Sequence, residues 1–205
     1  KIYPKRSLEL ADIIFMHFGE DGTILEGFYT GTQAVINEIT RLYPVEIWRQ
    51  VTKYLGPPID SRAFHIKDWL KGTELFDPEK EGALPMIPLK EIWEWVDEDV
   101  EKRAWYLASF VPKKLFKKEG KTCMAREVLI RYGKRKDVRN SFIANFSTEG
   151  WIGPESLHYK EKKKQLLDFK EGENNENIKK WIEKYVALLD KHIERAKIEE
   201  ERSDL

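Results

Sequence analysis

The sequence predicts an all-α protein, in which consecutive pairs of antiparallel helices build a right-handed α-solenoid. Three observations predict this class. Apolar residues recur at helical spacing along most of the chain, strand-like alternation is nearly absent, and two helix-length segments recur in the same order. The 205 residues, of which 41% are hydrophobic, suffice to bury a core without a disulfide or a metal.

The periodicity predicts ten helices, and capping residues, glycines and prolines mark their ends. Ser7 is a candidate N-cap of the first helix, and the glycine-containing stretch 19–22 ends it. Pro44 begins the third helix, and Gly56, followed by two prolines, closes it. The pattern leaves 19–32 open between a hairpin and a helical turn. The predicted helices span 7–18, 32–42, 44–55, 60–70, 88–100, 101–111, 123–132, 138–146, 155–169 and 177–202.

An internal repeat is the strongest pattern in the sequence. The phrase Ile-Trp-x-x-Val occurs at 47–51 and again at 92–96. A second-helix phrase that begins at Arg62 recurs at Arg103 and, in weaker form, at Arg139. Periods of about 40–47 residues with two helices per unit are typical of HEAT and armadillo solenoids. The sequence therefore predicts four to five such units, closed by a long C-terminal capping helix.

The repeat assigns structural roles to five residues. Trp48 and Trp93 occupy the equivalent position in two first helices, so both are predicted to face the core. Arg62, Arg103 and Arg139 lie near the start of second helices. We expect each arginine to bind a neighbouring loop or unit; a row of ligand-binding side chains is the alternative.

Trp95 does not fit the repeat, because its counterpart in the preceding unit is Gln50. It lies about 120° from the apolar stripe of its helix. It either packs on the adjacent unit or serves as an exposed anchor for a partner. Because Trp95 lies off the stripe, Trp95→Ala is expected to cost far less stability than Trp93→Ala, for which about 3–5 kcal/mol is expected, and, if Trp95 is an anchor, mostly partner affinity.

The stretch 151–158 interrupts the repeat. Pro154 stands at a helix start, where Trp151 and Leu157 are placed to staple the turn. The stretch is either a structural cap or a loop that contacts a ligand. Trp151 and His158 are therefore, together with Trp95, the candidate partner-binding residues.

Four phrases between Ile87 and Glu201 carry a family resemblance. They are Trp-Glu-Trp-Val-Asp-Glu-Asp at 93–99, Asn-Phe-Ser-Thr-Glu-Gly-Trp at 145–151, Gly-Pro-Glu-Ser-Leu-His at 153–158, and the closing helix at 181–196. They resemble the C-terminal helical-repeat regions of large prokaryotic multidomain proteins, several of them NTPase-bearing defence or signalling proteins. The resemblance implies a sensing or scaffolding segment of a larger molecule, and it transfers no catalytic residue.

The domain organisation is predicted to be simple. We expect residues 1–205 to form one helical-repeat domain, with a weak sub-boundary in the loop 72–87 that is rich in glycine, proline and charge. The sequence starts Lys-Ile-Tyr-Pro, without an initiator methionine or a signal-peptide core. This start favours a piece of a longer chain.

Charge is balanced overall but not locally. Lysine and arginine number 36, as do aspartate and glutamate, yet residues 1–110 carry a net charge of −6 and residues 111–205 of +6. The stretch 74–101 is acidic, and the stretch 113–139 is basic. Such blocks are usually solvated helix faces, but the basic block is also a candidate phosphate-binding surface. Its candidate residues are Lys113, Lys114, Lys117, Lys118, Arg131, Lys134, Arg135 and Lys136.

Residues that catalysis or metal binding would require are scattered. The single cysteine excludes an internal disulfide, the four histidines form no metal-binding pair, and no phosphate-binding loop or nucleophile elbow occurs. No apolar run approaches the ~18 residues of a membrane span. We therefore expect a cytoplasmic, non-enzymatic scaffold or recognition segment, without a cofactor or a metal, that binds a protein partner or a neighbouring domain. Nucleic-acid binding through 113–139 is the alternative.

Overall fold

The structure is a computed structural model that describes residues 3–18, 25–56, 60–72, 82–113, 123–148 and 150–203. These residues form ten α-helices, one short 3₁₀-helix at Leu84–Met86 and no strand, which confirms the all-α class. The helices are α1 (Pro4–Met16), α2 (Leu25–Leu42), α3 (Pro44–Val51), α4 (Ser61–Lys71), α5 (Leu89–Glu98), α6 (Val100–Ala108), α7 (Met124–Tyr132), α8 (Lys136–Ser147), α9 (Glu155–Glu171) and α10 (Glu176–Ser203).

Each predicted segment contains a helix, and only two boundaries differ from the prediction by more than three residues. α3 ends at Val51, and a turn continues the chain to the buried Leu55. α2 begins at Leu25, so residues 25–32 are helical. Two glycines in this stretch hid its helical character, because each lowers helix propensity by about 1 kcal/mol. The sequence left a hairpin possible for residues 19–24 as well, but these residues lie outside the described part of the chain.

The chain divides into two compact units, Lys1–Pro112 with α1–α6 and Lys113–Leu205 with α7–α10. The boundary therefore falls between Pro112 and Lys113, whereas the sequence placed its weak sub-boundary in 72–87. The described end of that loop belongs to the first unit, where Leu84 and Ile87 are buried. Residues 73–81 of that loop lie outside the described residues, so the sub-boundary in 72–87 stays a prediction.

Two tryptophan side chains join helices within the first unit. Trp69 of α4 packs against Phe15 of α1, with ring centroids 5.3 Å apart, and its Nε1 donates a hydrogen bond to Asn37 of α2. Trp48 of α3 is 2% exposed, and its Nε1 donates to the backbone carbonyl of Glu91 in α5. Each ring thus contributes hydrophobic burial while its N–H group keeps a partner.

Trp95 lies in the core of the first unit, so its interpretation as an exposed anchor is wrong. It is 5% exposed, compared with 9% for Trp93. Its ring meets Trp48 edge-on with centroids 5.5 Å apart, and the Arg103 guanidinium lies 5.2 Å from its ring centroid. Side chains two residues apart on a helix point in directions about 200° apart. Because Trp93 and Trp95 are both buried, other parts of the first unit pack on two nearly opposite sides of α5. The sequence prediction had assumed a single buried stripe.

Arg62, Arg103 and Arg139 each contact the segment that precedes their own helix. Arg103 and Arg139 donate hydrogen bonds to backbone carbonyls at the end of the preceding helix, where such groups lack helical partners and a positive charge is favourable. Arg62 instead packs on an aromatic ring in the turn after α3. The partners are the ring of Tyr54 for Arg62 (5.3 Å to the centroid), the carbonyl oxygen of Trp95 for Arg103 (2.6 Å), and the carbonyl oxygen of Gly133 for Arg139 (2.6 Å).

α9 and α10 form an antiparallel hairpin in the second unit. Lys163 of α9 binds Asp190 of α10 at 2.5 Å. Lys170, two turns further along α9, binds Glu183, two turns earlier on α10, at 2.8 Å. Later residues of α9 thus pair with earlier residues of α10, as expected for two antiparallel helices.

The N-terminal half of α10 packs against α8 through aromatic side chains. Trp181 is fully buried, with its ring centroid 5.8 Å from Phe142 and 5.4 Å from Phe146. Tyr185, one turn later, is 1% exposed and donates a hydrogen bond of 2.9 Å to the carbonyl oxygen of Phe146. Large buried rings dominate the energetics of a core. These contacts fix α10 against α8 and so determine the surface that the two helices share.

An ion pair between the partly exposed Arg126 and the buried Glu173 attaches α7 to the turn between α9 and α10. Arg126 donates two hydrogen bonds of 3.0 Å to the carboxylate of Glu173, whose side chain is 3% exposed. The same carboxylate accepts the backbone N–H groups of Asn174 and Asn175. Burial by itself would raise the pKa of Glu173, but the guanidinium and the two N–H groups outweigh it and hold the pKa below its usual value.

We predict that Trp95→Ala and Trp93→Ala destabilise the first unit to a similar extent, by about 3–5 kcal/mol each, because both empty a buried aromatic site. Urea unfolding followed by circular dichroism measures both free energies of unfolding. Phe64→Ala is the control, since Phe64 is 47% exposed and its loss should cost under about 1 kcal/mol. A cost for Trp95→Ala as small as that of Phe64→Ala would contradict the burial of Trp95.

We also predict that Glu173→Gln destabilises the second unit by about 1–3 kcal/mol at pH 7, because glutamine removes the buried carboxylate that Arg126 and two backbone N–H groups bind. The folded-state pKa of Glu173 lies below its ordinary value of 4.5. Its contribution is therefore complete above the unfolded-state pKa and is lost as the pH falls through the folded-state pKa.

The wild-type free energy of unfolding should accordingly decrease below about pH 5, and it should decrease less steeply in Glu173→Gln. Chemical unfolding at a series of pH values measures both slopes. Glu183→Gln is the matched control, because Glu183 pairs with Lys170 on the exposed side of the hairpin, where ion pairs contribute little. Parallel pH profiles for wild type and Glu173→Gln would refute the assignment of this dependence to Glu173.

Candidate partner-binding surface

The turn between α8 and α9 begins at the end of α8, which side chains of α9 and α10 hold in place. The hydroxyl of Tyr185 and the Nζ of Lys162 both donate hydrogen bonds to the carbonyl oxygen of Phe146. The described part of the turn, 150–154, passes through Gly153, whose φ of 98° lies in the left-handed region that favours glycine. The chain then enters α9 at Glu155, as the sequence predicts.

The start of α9 is capped by a residue of α10. Pro154 provides no side-chain cap. The carboxylate of Glu200 instead accepts hydrogen bonds from the Ser156 backbone N–H at 2.9 Å and from the Ser156 hydroxyl at 2.7 Å. These hydrogen bonds hold the pKa of Glu200 below its usual value. A carboxylate at a helix N-terminus is favoured by both the free N–H groups and the helix dipole.

Four aromatic side chains meet beside this start: Trp151, His158, Tyr159 and His192, which we call the aromatic corner. Trp151 is stacked on His158, with ring centroids 5.1 Å apart and ring planes 15° apart. Tyr159 lies 5.8 Å from Trp151 and 5.2 Å from His192, centroid to centroid. Two of the three predicted partner-binding residues therefore come together, whereas Trp95 lies in the core of the first unit.

Tyr159 and His192 were missed by the sequence reasoning. His192 belongs to a charged stretch of α10, and only the antiparallel register of the hairpin brings it to Tyr159. The Tyr159 hydroxyl donates a hydrogen bond of 2.7 Å to Glu155, and burial together with this bond raises the pKa of Tyr159 to about 12. The spacing of four residues between Glu155 and Tyr159 was the available signal, because such pairs are neighbours on a helix.

Exposed apolar side chains flank the aromatic corner. Trp151 is 40% exposed, Leu157 is 55% exposed, and Ile152 is fully exposed. Trp151 and Leu157 were expected to staple the turn, but Trp151 stacks on His158, and Leu157 is exposed to solvent. Adjacent exposed apolar groups of this size mark interaction surfaces in soluble proteins.

A groove of about 560 Å³ between α8 and α10 continues from the aromatic corner. His192 belongs to both features, so they form one surface of the second unit. The groove is lined by apolar residues (Ile143, Ala144, Ala187 and Leu188) and by polar ones (Asn140, Ser147, Lys184, Lys191 and His192).

Several cations of the basic block already have partners within the second unit. Arg135 makes two hydrogen bonds to Asp137, and this contact lowers the pKa of the Asp137 carboxyl. A cation whose charge is already balanced contributes less to phosphate binding. Arg126 binds Glu173, Arg139 binds backbone carbonyls, and Lys113 donates to the carbonyl oxygen of Thr148. The side chains of Arg131, Lys134 and Lys136 lie at the surface. Lys114, Lys117 and Lys118 lie outside the described residues.

Residues with catalytic or metal-binding chemistry are dispersed over the described part of the chain. Within it, no three His, Cys, Asp or Glu side chains are arranged to hold a metal ion. Cys123 is buried just before α7, while His158 is engaged with Trp151. None of the described helices combines the length and the apolar character that crossing a bilayer requires.

We predict that Glu200→Gln increases hydrogen exchange at the start of α9, because a neutral amide oxygen is a weaker acceptor than a carboxylate for the Ser156 N–H. Hydrogen–deuterium exchange of a peptide that covers 151–159 measures the effect. Glu199→Gln is the matched control, since the neighbouring Glu199 binds Arg195 on the surface of α10. Identical exchange in the two variants would contradict the capping role of Glu200.

The chain matches no protein-family model, no curated protein and no solved structure. The role of the surface formed by the aromatic corner and the groove is therefore argued from its own geometry and charge.

Proposed function

We propose that this chain is a non-enzymatic interaction module that binds a protein partner through the aromatic corner and the apolar residues beside it. The observation that carries the proposal is the joint exposure of Trp151, Ile152 and Leu157 beside a fixed helix start. The partner is a neighbouring domain of a longer parent chain or a separate target protein.

The aromatic corner has the properties of an energetic centre in a protein interface. Tryptophan is among the residues that most often dominate binding energy. The Trp151 ring is stacked on His158, and His158 follows the helix start that Glu200 caps. A side chain that is already ordered loses less conformational entropy when it binds. The corner is therefore prepared to bury Trp151 against a partner at low cost.

We further propose that the helix pairs belong to a HEAT-like α-solenoid of four to five units, with α10 as its cap. The contacts of Arg103 and Arg139 support this, because an arginine at the same repeat position binds backbone carbonyls at the end of the preceding helix in both pairs. Arg62, at the corresponding position, contacts the ring of Tyr54 in the segment before its helix. The resemblance to C-terminal regions of prokaryotic NTPase-bearing defence proteins supports a cytoplasmic role as a sensor or scaffold arm. Solenoids of this kind expose extended binding surfaces.

Nucleic-acid binding through 113–139 has weaker support. Arg126 and Arg135 are neutralised by Glu173 and Asp137, so two charges of the block are already paired. Electrostatic binding to a phosphate backbone depends on the number of cations that remain available. Binding to a phosphate backbone would make no use of the exposed apolar residues Trp151, Ile152 and Leu157.

Site-specific photo-crosslinking in cells that naturally produce the full-length protein tests the proposal. A photoreactive phenylalanine analogue at Ile152 should give a discrete crosslinked species, because Ile152 is fully exposed beside Trp151. Trp151→Ala in the same chain should reduce its yield about tenfold, as expected for removing an interface residue worth roughly 1–2 kcal/mol.

The control places the same analogue at Leu167, an aliphatic residue of α9 that is 39% exposed. Leu167 lies about 15 Å along the helix from Leu157 and so away from the aromatic corner. This position should give no discrete species. Equal yields at both positions, no crosslink at Ile152, or a yield that Trp151→Ala leaves unchanged would each overturn the proposed function.

A further inference from the structure

We propose that the groove between α8 and α10 binds an acidic amphipathic helix of a partner protein. The inference rests on the proposed function, because it names the chemistry of the partner segment that lies next to the aromatic corner. Three properties of the groove support it: its dimensions, the charge of its lining residues and its continuity with that corner.

The dimensions of the groove suit two to three turns of a helix. From Lys184 to His192 the α10 side of the groove extends about 12 Å, at 1.5 Å of rise per residue. A helix that binds in a groove presents apolar anchors at i, i+4 and i+7, which extend about 10.5 Å. Two of the lining residues, Ala144 on α8 and Ala187 on α10, have short side chains that leave room for such anchors.

The charge of the groove favours an acidic occupant. Lys184, Lys191 and His192 line it, and none of its described lining residues is a carboxylate. The acidic residues of α10 nearest in sequence, Glu183 and Asp190, are bound to lysines of α9. A partner with carboxylates beside its apolar stripe would therefore meet complementary charges at the polar positions of the groove.

A helix fits this surface better than a nucleic acid does. The apolar side chains of the groove, among them Leu188 and Ile143, match an apolar stripe and offer a phosphate backbone nothing to bind. Phosphate binding depends on the number of cations in contact. Here only two lysines belong to the described lining.

The groove and the aromatic corner together form a surface long enough for one segment. His192 lies at the end of the groove, and its ring is 5.2 Å from that of Tyr159. A partner helix that follows the groove past His192 would reach Tyr159 and then Trp151. The helix would thus bind in the groove, and the residues after it would contact the corner.

Selection from a library of 18-residue helix-forming peptides with randomised positions, displayed against the full 205-residue chain, tests the proposal. The selected peptides should carry aliphatic or aromatic residues at i, i+4 and i+7 and should be enriched in aspartate and glutamate beside them. Fluorescence polarisation of a labelled selected peptide then measures affinity. Lys184→Glu combined with Lys191→Glu should weaken binding about tenfold or more, and added salt should weaken binding to the wild type.

Two further variants separate groove binding from general charge effects. Ala187→Phe fills the groove at an exposed position, so it should weaken binding of the same peptide while leaving thermal unfolding unchanged. Lys164→Glu is the matched control, because Lys164 is exposed on α9 and does not line the groove. It should change the affinity less than twofold.

Neutral or basic selected peptides, or affinities that Ala187→Phe leaves unchanged, would overturn the proposal. So would a wild-type dimer that Ala187→Phe converts to a monomer in sedimentation, since the occupant would then be a second copy of this chain. Displacement of the peptide by a short DNA duplex would likewise identify a different occupant. If these tests fail while crosslinking at Ile152 succeeds, the interaction function stands and only the acidic-helix assignment is lost.

Discussion

The packing of Trp181 and Tyr185 against α8 is the interaction on which the second unit depends. The rings of Trp181 and Phe146 lie 5.4 Å apart, and the Tyr185 hydroxyl binds the carbonyl oxygen at the end of α8. Moving α10 by one turn, about 5.4 Å, would empty these contacts. It would also shift His192 away from Tyr159 and Glu200 away from Ser156. One buried aromatic contact thus sets the groove, the aromatic corner and the start of α9.

The charge of α10 is divided between two faces by the helical period. Seven residues complete almost two turns, so Glu183 and Asp190 share one face, and Lys184 and Lys191 share another about 100° away. The acidic face binds lysines of α9, and the basic face lines the groove. The balanced composition of this helix conceals the division. Pairing α9 with the acidic face leaves the lysines as the charges that a partner would meet.

The sequence was informative wherever the physics is local. Helical spacing located each of the ten helices that the described residues form, and the repeat correctly identified Trp48 and Trp93 as buried. The pairing of Trp151 with His158 was also within reach, since seven residues separate them across one turn and a helix start. For Trp95 the sequence left packing on the adjacent unit and an exposed anchor open, because its burial depends on Trp48 of another helix; the structure shows the packed alternative. His192 and the groove could not be predicted, because both arise from the register between helices that are distant in sequence.

The ionisable groups with shifted pKa values in the second unit include several that act in its structure. Glu173 is buried but bound by Arg126 and two backbone N–H groups, Glu200 caps α9, and Tyr159 donates to Glu155. Glu173 and Glu200 each hold one element to another, whereas the Tyr159 bond to Glu155 lies within α9. Glu200 thereby fixes the helix start beside which Trp151 and Ile152 are exposed, and a side chain beside a fixed element loses less conformational entropy when it binds.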